Sequence, residues 1–260
     1  CSRGAHIYAL QGDYERSLVV ARKGSLFALS QNDMSDYLSM RYQASGALFF
    51  LGRFGDSLMV LSDAMKIAER NADVGWMIML GVGQACVEAQ CFSYTSAMER
   101  CEQALAFARR SPVRLVPLEL MSHALLALSS VGLGRLDEAS AAVRNLESVG
   151  PRSFNVRLTA FIAKLELALA HEQIDAIGEA ATALLQLTEP AGEPTGIVWA
   201  RQALALVAFK QKRWKEADSE LAQAESVLAK KTAPLAAWRL HRAAAEIYEA
   251  QSRLDDANRA

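Results

Sequence analysis

One turn recurs along this chain at a step of about forty residues. Gly12-Asp13-Tyr14-Glu15-Arg16-Ser17, Gly52-Arg53-Phe54-Gly55-Asp56-Ser57, Gly134-Arg135-Leu136-Asp137-Glu138-Ala139, Lys212-Arg213-Trp214-Lys215-Glu216-Ala217 and Ser252-Arg253-Leu254-Asp255-Asp256-Ala257 share one layout. A small or polar turn residue is followed by a polar one, a large apolar one, two mostly polar ones and a small one. Weaker copies at Phe92 to Ala97 and Glu172 to Ile177 fill the gaps, so the turns begin at 12, 52, 92, 134, 172, 212 and 252. A sustained period of this size marks a repeat array, whose units cannot bury their apolar faces singly and must stack.

Helical periodicity flanks each turn. Leu18, Ala21, Leu26 and Leu29 follow the first, and Ala217, Leu221, Ala224 and Leu228 lie on the sixth, mostly at three- or four-residue steps. One repeat is therefore a pair of antiparallel helices. The expected helices run about 1-11, 14-30, 34-51, 54-71, 73-89, 94-110, 116-133, 136-149, 153-171, 174-188, 195-211, 214-230, 234-251 and 254-260. A proline inside a helix costs ~3 kcal/mol, and Pro112, Pro117, Pro151, Pro190, Pro194 and Pro234 all fall at connections or helix starts. Thr232 is placed to cap the helix that Pro234 opens. The fold class expected is all-α, a single α-solenoid domain of about seven helix hairpins. Its repeats are approximately 1-31, 32-72, 73-112, 113-151, 152-191, 192-232 and 233-260. The first and last are truncated, as expected for a fragment of a larger protein.

Composition narrows the function. With 28 Lys plus Arg against 29 Asp plus Glu the formal net charge is -1, and there is no basic stripe of the kind that neutralises phosphates, so direct contact with nucleic acid is not expected. Arg109-Arg110 and Lys230-Lys231 are pairs at helix ends, where cations favour the negative end of the helix dipole. The apolar runs Val74 to Val87 and Leu120 to Leu133 are too short and too interrupted to span a membrane. The opening CSRGAHIYAL lacks the basic-then-apolar order of a signal peptide, although Cys1 leaves a lipidated start open. Four cysteines without a CxxC pair fit a reduced, cytoplasmic protein in which Cys86 and Cys101 act as small core residues. His6, His123, His171 and His241 fall in four different repeats, and no HExxH, GxSxG or phosphate-loop motif occurs. No enzyme, metal or cofactor is expected.

The order Gly4-Ala5, Tyr8, Gly12, Tyr14, Ser17, matched by Ala244-Ala245, Tyr248, Leu254, Ala257, resembles the tetratricopeptide repeat family over essentially the whole chain. Phe92 and Glu172 depart from it, standing where the turn glycine would be. The forty-residue length is similar to the longer variant in large bacterial signalling ATPases, maltose-activator-like transcription regulators and some kinases and cyclases. The resemblance implies a right-handed superhelix whose inner helices line a concave groove.

Carried over, the groove positions are Tyr42, Gly46 and Phe49; Val82, Cys86 and Ala89; Ala124, Leu128 and Val131; Ile162, Glu166 and Leu169; Gln202, Leu206 and Phe209; and Arg242, Glu246 and Glu249. The middle of this groove is apolar and its C-terminal end charged. The Lys, Asn and Arg clamp with which chaperone-binding relatives hold a terminal carboxylate is absent, the matching positions including Tyr42, Gln43 and Gly46.

Such a face suits an apolar-anchored peptide or protein, unless tight winding buries it against the array itself. The Arg239, Arg242 and Glu246 face is either an anionic docking site or an ordinary solvated one. Trp76, Trp199, Trp214 and Trp238 read as packing anchors, and Met77, Met79, Met98 and Met121 as core filling. The leading expectation is a noncatalytic protein or peptide interaction scaffold in a signalling or regulatory protein. The alternative is an effector-sensing domain that controls an attached ATPase, kinase or DNA-binding part. A homo-oligomer is compatible with either.

Overall fold

The structure, a computed structural model, describes residues 2–110, 115–150 and 153–259. Among the described residues there are fourteen helices and no strand: α1 (Ser2–Leu10), α2 (Tyr14–Ser30), α3 (Met34–Phe50), α4 (Phe54–Arg70), α5 (Val74–Gln90), α6 (Tyr94–Arg110), α7 (Val116–Gly132), α8 (Leu136–Val149), α9 (Phe154–Ala170), α10 (Ile174–Thr188), α11 (Pro194–Lys210), α12 (Trp214–Leu228), α13 (Pro234–Ala250) and α14 (Leu254–Ala257). Each helix packs on its neighbours in sequence, and the leading helices of adjacent hairpins also touch, as α7 does α9 and α11 does α13. The protein is an all-α solenoid of helix hairpins. Cys1, Pro112 and Pro151 lie outside the described residues.

The repeat is more regular than the sequence motif. Helices α2 to α7, α9, α11 and α13 each span 17 residues, about 25 Å at 1.5 Å per residue. Many are joined by three-residue links whose second residue is left-handed: Gly12, Gly52 and Gly134 within hairpins, and Asn32 and Ala72 between them. Phe92, Glu172, Lys212 and Ser252 take the same conformation at φ of 55 to 61° without being glycine. The repeats that lack a turn glycine therefore keep the register. In the first link Asp13 N–H donates to Tyr8 O at 2.9 Å, closing α1 with a left-handed C-terminal cap. The same Asp13 then accepts from Arg16 N–H and starts α2.

Other helices start differently. Asp33, Asp73 and Ser153 cap with their side chains. Arg53, Arg135, Arg213 and Arg253 stand at the corresponding position and instead pair with Asp56, Glu138, Glu216 and Asp256 in the first turn. Thr232 does not cap α13. Its N-cap is Ala233, with no side-chain hydrogen bond, and Pro234 has no N–H to be capped.

The small residue that ends the motif marks where the two helices of a hairpin cross. Ser17, Ser57, Ala97, Ala139 and Ala217 are fully buried there. Ser17 Oγ donates to Ala5 O and Ser57 Oγ to Ser45 O, each at 2.9 Å, joining one helix of the pair to the backbone of the other.

The array coils until its ends meet. A Cβ on Gly12 would lie 2.6 Å from Pro194 Cδ, and one on Gly52 would lie 3.0 Å from Pro234 Cγ, forty residues further along at both partners. Gly12 is required twice over, by this approach and by its φ of 72°. Lys231 Nζ donates to Gln11 O at 2.8 Å and to Gly192 O at 2.6 Å. This lysine serves the carbonyl end of α1 rather than that of its own helix. Tyr14 OH donates to Glu193 Oε1 at 2.8 Å, and the rings of Phe92 and Trp238 meet edge to face at 5.9 Å. The first two within-hairpin turns thus rest on the starts of α11 and α13.

Candidate functional site

Coiling turns the concave face inward. Every leading helix, α1, α3, α5, α7, α9, α11 and α13, contributes to one partly open cavity of about 210 Å³. Its walls carry Tyr42, Phe49 and Phe50, Cys86, Leu128, Ile162 and Trp199. Tyr14 and Phe50 stack at 4.8 Å with rings 8° from parallel. Gly83 leaves the Tyr42 ring room to lie beside α5, since a Cβ there would come within 3.2 Å of it. Gly46 has the opposite surroundings, with nothing within 4 Å of where its Cβ would be. It is an unfilled position in the wall.

Polar side chains also line the cavity, His6, Gln43, Gln90, Asn155 and Thr159 among them, together with Glu193. Glu193, almost fully buried, caps α11 by accepting from Thr195 N–H at 3.0 Å and Gly196 N–H at 2.6 Å, and it also holds the Tyr14 hydroxyl. A carboxylate at a helix N-terminus meets the positive end of the helix dipole. Burial, and then the charge of Glu193, raise the Tyr14 phenol far above its ordinary value. Thr195 is among the lining residues, and its hydroxyl, itself buried, has no hydrogen-bond partner. Burial pushes the Cys86 thiol up to about 12. Tyr42 is also held at about 12, by burial and then by Cys86. Cys86 retains some accessible surface because it faces the cavity while protein surrounds it on its other sides.

A second cleft of about 190 Å³ lies further along the same face, between α9, α11 and α13. It is lined by Glu166, Leu169, Gln202, Leu206, Arg242 and Glu246, with Trp238, Arg239 and Ala243. A side-chain stack separates it from the central cavity. Trp199 Nε1–H donates to Glu166 Oε1 at 2.7 Å, and Arg239 Nη1 binds both oxygens of Glu166 at 3.0 and 3.1 Å. The Arg239 guanidinium lies 4.4 Å from the Trp199 ring centroid and 4.7 Å from that of Trp238, within the range of cation–π attraction.

The groove positions read from the sequence therefore divide. Tyr42, Gly46, Phe49, Cys86, Leu128 and Ile162 meet at the central cavity, and Glu166, Leu169, Gln202, Leu206, Arg242 and Glu246 meet at the second cleft. Val82 and Ala124 reach neither, being packed into the layers between helices. Both are too short to extend past their neighbours as Tyr42 does at the equivalent position. Ala89 joins the same layer as Val82, and Phe209 packs against Trp214 with ring centroids 5.6 Å apart.

Trp199 is a buried anchor with one polar contact, whereas Trp214 and Trp238 stay 40% and 41% exposed. Met121 lines the cavity and Met77 supports a core cluster. Cys101 is buried and Cys91 exposed, and among the described residues Cys86, Cys91 and Cys101 are free thiols. No helix of the described residues is long and apolar enough to cross a membrane.

Sequence reasoning missed Tyr14, Glu193 and Thr195 as site residues and Lys231 as a closing contact. The only available signal was indirect: Glu193 precedes Pro194 at a helix start, where a carboxylate is a natural cap. No protein-family model matches the chain, and no curated protein is similar to it.

Proposed function

We propose that this chain is an effector-sensing module, a noncatalytic tetratricopeptide-like array of a cytoplasmic signalling or regulatory protein, whose central cavity takes a small apolar molecule. The observation that carries this reading is the convergence of all seven leading helices on one cavity. A ligand there touches every hairpin, so its binding free energy acts on the curvature of the whole array. An occupant is best matched by a mainly apolar body with a polar group for the polar side chains of the wall. A volume near 210 Å³ exceeds the ~150 Å³ of an apolar cavity that accommodates benzene. A peptide helix, 10–12 Å across, is too bulky for that volume, and the approach of the turns at Gly12 and Gly52 to Pro194 and Pro234 narrows the space further.

The test is thermal unfolding with indole and n-octanol as probes. A ligand at a hundred times its Kd stabilises by about 2.7 kcal/mol, so the melting temperature rises with probe concentration. Gly46→Phe puts a ring into the open position in the wall and abolishes that rise while the variant remains folded. A Gly46→Phe protein that responds as the original does sinks the reading.

A second reading, protein contact through the outer surface, has its own support. Val19, Leu26 and Phe27 on α2 are 49%, 69% and 62% exposed and lie on one helix face. If this face is used, Leu26→Glu with Phe27→Glu abolishes self-association or partner capture without changing the response to indole.

A further inference from the structure

We propose that the cleft between α9, α11 and α13 binds a free α-amino acid with an apolar side chain, gripping its carboxylate and its ammonium group separately. The cleft holds polar atoms whose bonds are unmade. Gln202 is 7% exposed, and its Oε1 has no hydrogen-bond partner. Arg239 Nε is likewise buried and unpartnered, although Nη1 of the same guanidinium binds both oxygens of Glu166. A buried polar atom without a partner costs about 1–3 kcal/mol, so a ligand that supplies both partners recovers that cost on binding. Gln202 Oε1 calls for an N–H or O–H donor, and Arg239 Nε–H calls for an acceptor.

The charges at the mouth specify the rest. Arg242 and Glu246 stand four residues apart on α13 and both line the cleft, yet among the described residues neither forms an ion pair. A ligand with an anionic and a cationic group close together satisfies both, its carboxylate on Arg242 and Arg239 Nε–H, its ammonium on Glu246 and Gln202 Oε1. A phosphate or a dicarboxylate meets the first pair and is opposed by Glu246. Between these groups Leu169, Leu206, Ala243 and the Trp238 ring present apolar surface, which suits an aliphatic side chain. A volume of about 190 Å³ is ample for a single residue and too small for an extended peptide.

The site is independent of the central cavity, because the Trp199–Glu166–Arg239 stack stands between them. Isothermal titration of the whole chain with L-leucine tests it. Saturable binding with one site per chain is expected, weakened at least tenfold by Arg242→Ala and by Gln202→Met. Gly46→Phe, in the other cavity, leaves it unchanged. Arg242 is exposed, so its replacement does not threaten folding, and Gln202→Met keeps the buried volume while removing the amide. N-acetyl-L-leucine, which mimics the last residue of a peptide, lacks the ammonium and is expected to bind at least tenfold more weakly. Equal binding of the acetylated compound would assign the cleft to a peptide terminus and overturn the proposal. So would the absence of L-leucine binding at millimolar concentration, or binding that survives both substitutions. Failure of indole to bind the central cavity leaves these outcomes untouched.

Discussion

At the scale of single residues, backbone conformation separates turns that need glycine from turns that only tolerate something else. Glu172 and Lys212 sit at φ of 55° and 60°, in a region that costs an L-residue roughly 1–2 kcal/mol. Glycine removes that strain and returns part of the gain as unfolded-state entropy. Glu172→Gly and Lys212→Gly are each expected to raise stability by about 0.5–1 kcal/mol in urea unfolding. Gly12→Ala is expected to lower it by more than that, because its Cβ has Pro194 Cδ at 2.6 Å. The cysteines offer a pH test. Burial pushes the Cys86 and Cys101 thiols up to about 12, so the unfolded chain releases these protons first. Stability from these sites is intact below the ordinary thiol range near pH ~8.5 and is lost as the pH rises through the folded value. With iodoacetamide at about pH 8.5, exposed Cys91 is expected to alkylate first, and Cys86 and Cys101 only when the protein unfolds. Prompt labelling of Cys86 would mean that the cavity opens freely to reagents.

At the scale of helices and turns, the motif was legible because it encodes local geometry: a left-handed link, an apolar residue at the start of the second helix, and a small residue at the crossing. The links at Asn32 and Ala72 were invisible by comparison. Their neighbours carry no matching aromatic, and only the backbone reveals that they take the same form. The first-turn pairs from Arg53, Arg135, Arg213 and Arg253 were equally hidden, since each stood among the polar residues of the motif with no apolar period to mark it. The crossing position carries a pair of predictions, one from overfilling it and one from emptying it. Ala217 is fully buried where two helices meet closely, and Ala217→Leu is expected to cost about 1–3 kcal/mol by overpacking. Ile177 occupies the same position in the fifth hairpin and is 4% exposed. There Ile177→Ala opens a hole and is expected to cost about 2–5 kcal/mol. Equal tolerance of both changes in thermal unfolding would show that the hairpins are not equivalent at this crossing.

At the scale of the molecule, closure decides whether the inner face is a groove or a cavity, and closure was not legible in the sequence. The periodic pattern fixes how each hairpin meets the next. The angle at which they stack, which accumulates over five hairpins, comes from small differences in packing that no motif records. Hence Tyr42, Phe49, Cys86 and Leu128 could be placed on the inner face, while Tyr14, Glu193 and Lys231, whose partners are far away in the chain, could not be paired. Because a repeat array is held by nearest-neighbour interfaces, the closing contacts can be removed without unfolding the hairpins. Tyr14→Ala with Lys231→Ala deletes the phenol that binds Glu193, its stack on Phe50, and the ammonium that joins Gln11 O to Gly192 O. The double variant is expected to keep its helical circular dichroism while its radius of gyration in solution scattering grows beyond the ~18 Å of a compact chain of 260 residues. Its Cys86 becomes reactive and its thermal response to indole disappears. If the radius and the indole response both stay as they were, these contacts do not hold the coil shut, and a ligand in the cavity has no closed state to stabilise.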